Sequence, residues 1–170
     1  MKSERSGVAG QLAWDENDAL VAMALLSAGA AVIHATVIQA HFREWWLYGT
    51  FFAVAASAQS IWTFLTLRRP SRRLLIAGAT GNAIVVFLWL LTRITGLPVG
   101  PEPWTPESLS LLDVAASVFE VVLVATAVMM LRRDALPQRT RVHLERPQVA
   151  VFTGAIVAFT YIAVTGGGHH

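Results

Sequence analysis

The sequence predicts an all-α integral membrane protein with a bundle of five transmembrane helices, and three observations carry that expectation. Of its 170 residues 55% are apolar and only 14% charged, against roughly 25% charge in ordinary soluble domains. The mean hydropathy is +0.54. The apolar residues lie in long uncharged blocks instead of the short periodic runs of a soluble core, which excludes a soluble enzyme domain. The arginines collect in alternate loops, as expected of chains that cross a bilayer several times.

A hydrocarbon core about 30 Å thick needs ~20 residues of helix, and five segments qualify: 19–41, 45–67, 74–95, 108–131 and 149–165. The first is interrupted only by His34, Thr36 and Gln39 near its far end. The third carries no charge before Arg93, after which Gly96, Pro98, Gly100, Pro101 and Pro103 stop the helix. The fourth contains Asp113 and Glu120. Residues 1–18 read as an uncleaved cytosolic polar tail, with Asp15 or Asn17 available to cap the first helix. Residues 166–170 read as a short outer tail or the remnant of a tag.

Arg68, Arg69, Arg72 and Arg73 share one side with Arg132, Arg133, Arg139, Arg141 and Arg146, nine of the thirteen basic residues. Basic loops stay in the cytoplasm, so the amino terminus is expected inside and the carboxy terminus outside, in a multi-pass protein of the cell membrane. The pI near 9.7 then reflects topology and contact with anionic lipid, not nucleic acid. Trp45, Trp46 and Tyr48 stand where an interfacial aromatic belt belongs. Ser27 to Ala31, with Gly78 and Gly81, are expected to let helix backbones approach closely.

Several cofactor chemistries are excluded at once. Cysteine is absent, which removes disulfides, thiolate metal sites, iron–sulfur clusters and covalent haem. The only lysine is Lys2, so no retinal Schiff base forms in the membrane. His34 and His41 lie on one helix and cannot grip both faces of a haem.

The polar residues inside the spans carry the functional reading, since each costs on the order of 2.5–3.5 kcal/mol to insert. His34 and His41 are seven residues apart, 700° around a helix, and so within 20° of one face. Asp113 and Glu120 repeat that spacing, and Asn82, Trp89 and Arg93 share a stripe of the third span. With helices one and three ending outside, His41, Glu44, Arg93 and Asp113 fall in the outer turns. His34 and Glu120 lie deeper, and Gln59 reaches their level. The seams predict one polar pocket open to the outer face.

Three readings of that pocket stand side by side. It binds or passes a cation, a transition metal (Zn, Mn, Fe or Cu) or a proton, through His34, His41, Glu44, Asp113 and Glu120. In that reading Arg93 tunes the acids, Asn82 and Gln59 give polar support, and a metal would draw on His34, His41, Asp113 and Glu120. Two turns between the histidines, ~10 Å, fit two levels better than one ion: His41 with Glu44 and Asp113 above, His34 with Glu120 below. Imidazole ordinarily titrates near pH 6.5, which makes a proton relay compatible with the same residues. Alternatively the polar residues only fix helix packing, in a structural or accessory subunit, with Arg93 pairing Asp113 or Glu120. The third reading is a metal-dependent intramembrane hydrolase with Glu120 as general base. A homo-oligomer or a partner membrane subunit is compatible with five thin helices.

The strings His34 to Phe52, containing His-Phe-Arg-Glu-Trp-Trp-Leu-Tyr-Gly at 41–49, and Gly81-Asn82 through Trp89 to Arg93, with Gly96-Leu97-Pro98 and Gly100-Pro101-Glu102, carry a resemblance. They make the chain similar to a group of small, uncharacterised polytopic integral membrane proteins from high-GC actinobacteria. The resemblance spans most of helices one to four and implies location and helix number, with no activity attached. The segment after Arg93 is expected to be a rigid turn, or else a lid over the pocket.

Overall fold

The computed structural model describes residues 16–133 together with Gly154 and Val157. Among these, four helices follow in order: α1 Glu16–Glu44, α2 Trp46–Arg68, α3 Arg72–Ile94 and α4 Leu111–Arg132. All four are long and apolar enough to cross a membrane. At 1.5 Å per residue the 22 or 23 residues of α2, α3 and α4 reach about 33–35 Å, a little beyond the hydrocarbon thickness. Of the expected fifth span only Gly154 and Val157 are described, both helical; the rest of that span, the amino-terminal tail up to Asp15 and Arg139, Arg141 and Arg146 lie outside the described residues.

The boundaries follow from local chemistry. α1 runs three residues past its expected end at 41, because the backbone turns only at Trp45, whose φ of −160° and ψ of 134° are extended. Trp45 N–H still donates to the His41 carbonyl at 2.9 Å, and Gly49 N–H to the Trp45 carbonyl at 3.2 Å. A single residue therefore joins α1 to α2. Ser71 and Ser110 cap α3 and α4, each hydroxyl accepting at 3.2 Å from the backbone N–H three residues on, Leu74 and Asp113. The Ser110 cap sets the start of α4 at Leu111 instead of 108.

The helices form an up-and-down bundle in which each packs on its chain neighbours and α4 also packs on α1. α1 is the most enclosed, with Leu20, Val21, Met23 and Ala24 at 0–1% exposure. Small residues bring α1 and α2 together. Ser27 Oγ donates to the Gln59 carbonyl at 3.1 Å, and Thr63 Oγ1 to the Ala24 carbonyl at 3.2 Å. Outward, the bundle presents Val54, Ile61, Phe64, Ile84, Phe87 and Val121, all at least half exposed. Inward it buries Ser27, His34, Gln59, Thr66, Asn82, Ser117 and Glu120. An apolar outside around a partly polar inside is the arrangement expected in lipid.

Gly78 and Gly81, expected to act alike, differ. A Cβ on Gly78 would overlap the Trp62 indole, whose Nε1–H donates to the Leu74 carbonyl at 2.8 Å. A Cβ on Gly81 would meet nothing within 4 Å. The two positions are three residues, hence about 60°, apart around α3, and only Gly78 faces α2.

Candidate functional site

A cavity of about 820 Å³ lies within the bundle, lined by all four helices and by the 95–110 loop. It widens because α2 and α3 make the loosest contact of the neighbouring pairs. They meet through Trp62 and Leu74 and through Gln59 and Asn82, and above that level Phe51 and Phe52 of α2 and Val85 and Leu88 of α3 line the space between them.

At the floor, His34 Nε2 and Glu120 Oε1 are 3.0 Å apart, with side-chain exposures of 6% and 1%. The imidazole and the carboxyl group share a hydrogen bond whose direction follows the placement of the proton between them. Gln59 Nε2–H donates to the same oxygen at 2.8 Å and to Asn82 Oδ1 at 3.1 Å. Asn82 Nδ2–H returns to the Gly78 carbonyl at 2.8 Å. One side chain from each helix thus meets in a continuous network. Glu120 is nine residues from the start of α4 and twelve from its end, about 14 and 18 Å along the axis, so the network sits at mid-depth.

At the mouth, Arg93 Nη1–H donates to Glu107 Oε2 and Nη2–H to Asp113 Oδ2, both at 2.5 Å. Nη1 also reaches Thr92 Oγ1 at 2.7 Å, and the guanidinium carbon lies 5.9 Å from the Trp89 ring centre. Arg93 pairs with Asp113, as one of the two expected partners, while Glu120 is held by His34 and Gln59. Glu107 is a partner that sequence reasoning missed, because it lies in the loop and outside any helical stripe.

His41 does not join Glu44 and Asp113 in a hydrogen-bonded upper level. Its Nδ1–H donates to the Val37 carbonyl of its own helix at 2.9 Å, and its ring lies 4.1 Å from that of Phe52. Phe52 also stands 5.5 Å from the His34 ring and gave no polar signal in the sequence. His34, His41, Glu44, Asp113 and Glu120 all line the one cavity. Among the described residues, however, no three His, Asp or Glu side chains come together as a group that could hold a metal ion.

The 95–110 loop forms part of the cavity wall through Leu97, Val99, Glu102 and Thr105. Gly96 and Gly100 take φ of 71° and 114°, and Trp104 takes a φ of 60°, conformations that glycine adopts freely and tryptophan does not. Trp104 N–H donates to the Leu97 carbonyl at 2.8 Å and Glu107 N–H to the Thr92 carbonyl at 2.9 Å. Tyr48 Oη donates to the Val99 carbonyl at 3.1 Å, tying the loop to α2. Trp104 itself does not line the cavity and is 65% exposed.

Compared with known proteins, the chain matches no family model, no curated protein and no solved structure.

Proposed function

We propose that this is a multi-pass membrane protein whose pocket binds and exchanges a proton at the His34–Glu120 pair. The single observation that carries the reading is that pair, 3.0 Å apart and almost wholly buried, at the floor of a cavity that reaches the exposed Glu102 and Glu107. In a low-dielectric interior the pair is cheapest with one proton between its members, either as imidazolium and carboxylate or as imidazole and carboxylic acid, because both states are neutral overall. Gaining or losing a proton leaves a net charge there, so exchange is tied to whatever else enters the cavity. The metal form of the cation reading finds no support, since no metal-holding group is present among the described residues.

The orientation belongs to the same proposal. Arg68, Arg69, Arg72, Arg73, Arg132 and Arg133 gather at one end of the bundle, and cytoplasmic retention of that end turns the cavity outward. A fifth span over 149–165 would complete the topology, with the amino terminus inside and the carboxy terminus outside.

Infrared difference spectra recorded from about pH 5 to about pH 9, spanning the carboxyl and imidazole ranges, test the proton site. A carboxylic-acid band that titrates in the native protein and is missing in Glu120→Gln supports it. Superimposable difference spectra for the native and variant proteins would discard it. The competing view, in which the network only fixes helix rotation, draws on the way Gln59 joins Glu120 to Asn82. It predicts lowered stability in Glu120→Gln with no change in proton uptake.

A further inference from the structure

We propose that the cavity is a binding site for an organic cation with apolar substituents around its charge. This rests on the proton reading above and names what would exchange with that proton. Four properties of the cavity lead there: its size, its walls, its charge and its floor.

At about 820 Å³ the space is of the size that holds a small organic molecule, commonly 300–1,000 Å³. It is far larger than a bare metal ion needs, and no trio of ligating side chains converges among the described residues. The walls are aromatic as well as aliphatic. Tyr48, Phe51, Phe52 and Trp89 line it, and the face of an aromatic ring attracts a cation that carries little water of its own.

Charge then sets the sign. Glu44, Glu102, Glu107, Asp113 and Glu120 line the cavity against one arginine. Arg93 is engaged by Glu107 and Asp113, so its charge is already more than balanced. Glu44 and Glu102 add two further carboxylates at the mouth. Such a field draws cations in and rejects phosphates and anionic headgroups.

The floor supplies the coupling. The His34–Glu120 pair is neutral with one proton, and losing that proton leaves a negative charge at mid-depth that is costly when nothing compensates it. An organic cation lodged against Phe52 and Trp89 would compensate it. The proton leaves to cavity water, the cation keeps its own charge, and the net charge of the site is unchanged by the exchange. Other groups around the pair that bear on this balance are His41 and Glu44 on α1, Tyr48 on α2, Arg93 on α3 and Asp113 on α4. Glu102 and Glu107 face it from the loop.

The test uses the full chain in detergent with two probes of the same shape and opposite charge, tetraphenylphosphonium and tetraphenylborate, each measured by equilibrium dialysis against empty micelles. Saturable binding of the cation, at least tenfold tighter than of the anion, is expected. Glu44→Gln/Glu102→Gln, which changes only side chains at the mouth, should weaken the cation by about three- to tenfold, as the loss of two charges acting across a partly aqueous mouth requires. No saturable binding of tetraphenylphosphonium, equal or tighter binding of tetraphenylborate, or an affinity unchanged in the double variant would overturn the proposal. Proton release on adding the cation to weakly buffered protein separates the two readings. Binding with release supports both, whereas binding without release keeps the cation site and removes the proton exchange. A titrating Glu120 band in a protein that binds neither probe does the opposite.

Discussion

Gly78→Ala should destabilise the protein, while Gly81→Ala, one turn away on the same helix, should not. The added methyl at 78 falls onto the Trp62 indole, a rigid ring only 7% exposed that cannot swing aside as a flexible side chain would. Moving it lengthens the Nε1–H bond to the Leu74 carbonyl, now 2.8 Å. Overpacking of this kind costs about 1–3 kcal/mol, and leaving a buried donor unpaired about 1–3 kcal/mol more. The better helix propensity of alanine returns up to about 1 kcal/mol. The balance is a loss of about 1–6 kcal/mol. At Gly81 the methyl enters open space, so only the propensity gain remains and the effect is neutral to mildly stabilising.

The assay is reversible unfolding in mixed micelles, followed by the far-ultraviolet circular dichroism of the helices. Trp62→Phe provides the control: it removes the indole N–H and shortens the ring, so Gly78→Ala should cost less in that background than in the native one. Equal costs for Gly78→Ala and Gly81→Ala, or no coupling between positions 78 and 62, would refute the packing of α3 on α2 described above.

Arg93→Met should cost about 1.5–3 kcal/mol, the range for hydrogen bonds to charged groups, because it strands Glu107 and Asp113 at the mouth; a Glu107→Gln/Asp113→Asn background should recover part of the loss, and a neutral Arg93→Met would show that the bridge contributes nothing. Ser110→Ala should cost about 1 kcal/mol through loss of the α4 cap, with Ser110→Thr close to native and Ser108→Ala, outside the cap, without that effect; thermal unfolding in detergent reads all three.

Much of the architecture was legible because helical period and membrane thickness are rigid constraints. Four segments long enough to span became α1 to α4 with ends shifted by three residues at most. The seven-residue spacings His34–His41 and Asp113–Glu120 put each pair on the cavity side of its helix, since 700° around a helix leaves little freedom. Partners across helices were harder to read. Whether Arg93 meets Asp113 or Glu120 depends on the rotation and vertical offset of α3 against α4, and seven residues on one helix separate those acids by about 10 Å of depth. Glu107 could not be placed, because its position depends on a loop whose path is set by left-handed residues at 96, 100 and 104. Likewise, the indole of Trp62 decides which of two neighbouring glycines faces another helix, and no pattern within α3 reveals it.

The depth at which each charge sits accounts for how the bundle tolerates so many. Near the surface, where water screens and solvates, the structure leaves fixed charges uneven: Arg93 against Glu107 and Asp113, with Glu44 and Glu102 beside them. At mid-depth the titratable pair is reduced to an acid and a base in contact, with the Gln59 amide donating to the Glu120 oxygen and to Asn82 while its own Oε1 has no protein partner among the described residues. A pair so enclosed stabilises little by itself, because the desolvation of both groups offsets their attraction. Gln59 and Asn82 join only α2 to α3, and it is His34 and Glu120 that bring α1 and α4 into the network. In the reading proposed above, that acid and base would do more than set helix register, by sharing a proton whose position and number respond to charge in the cavity above it.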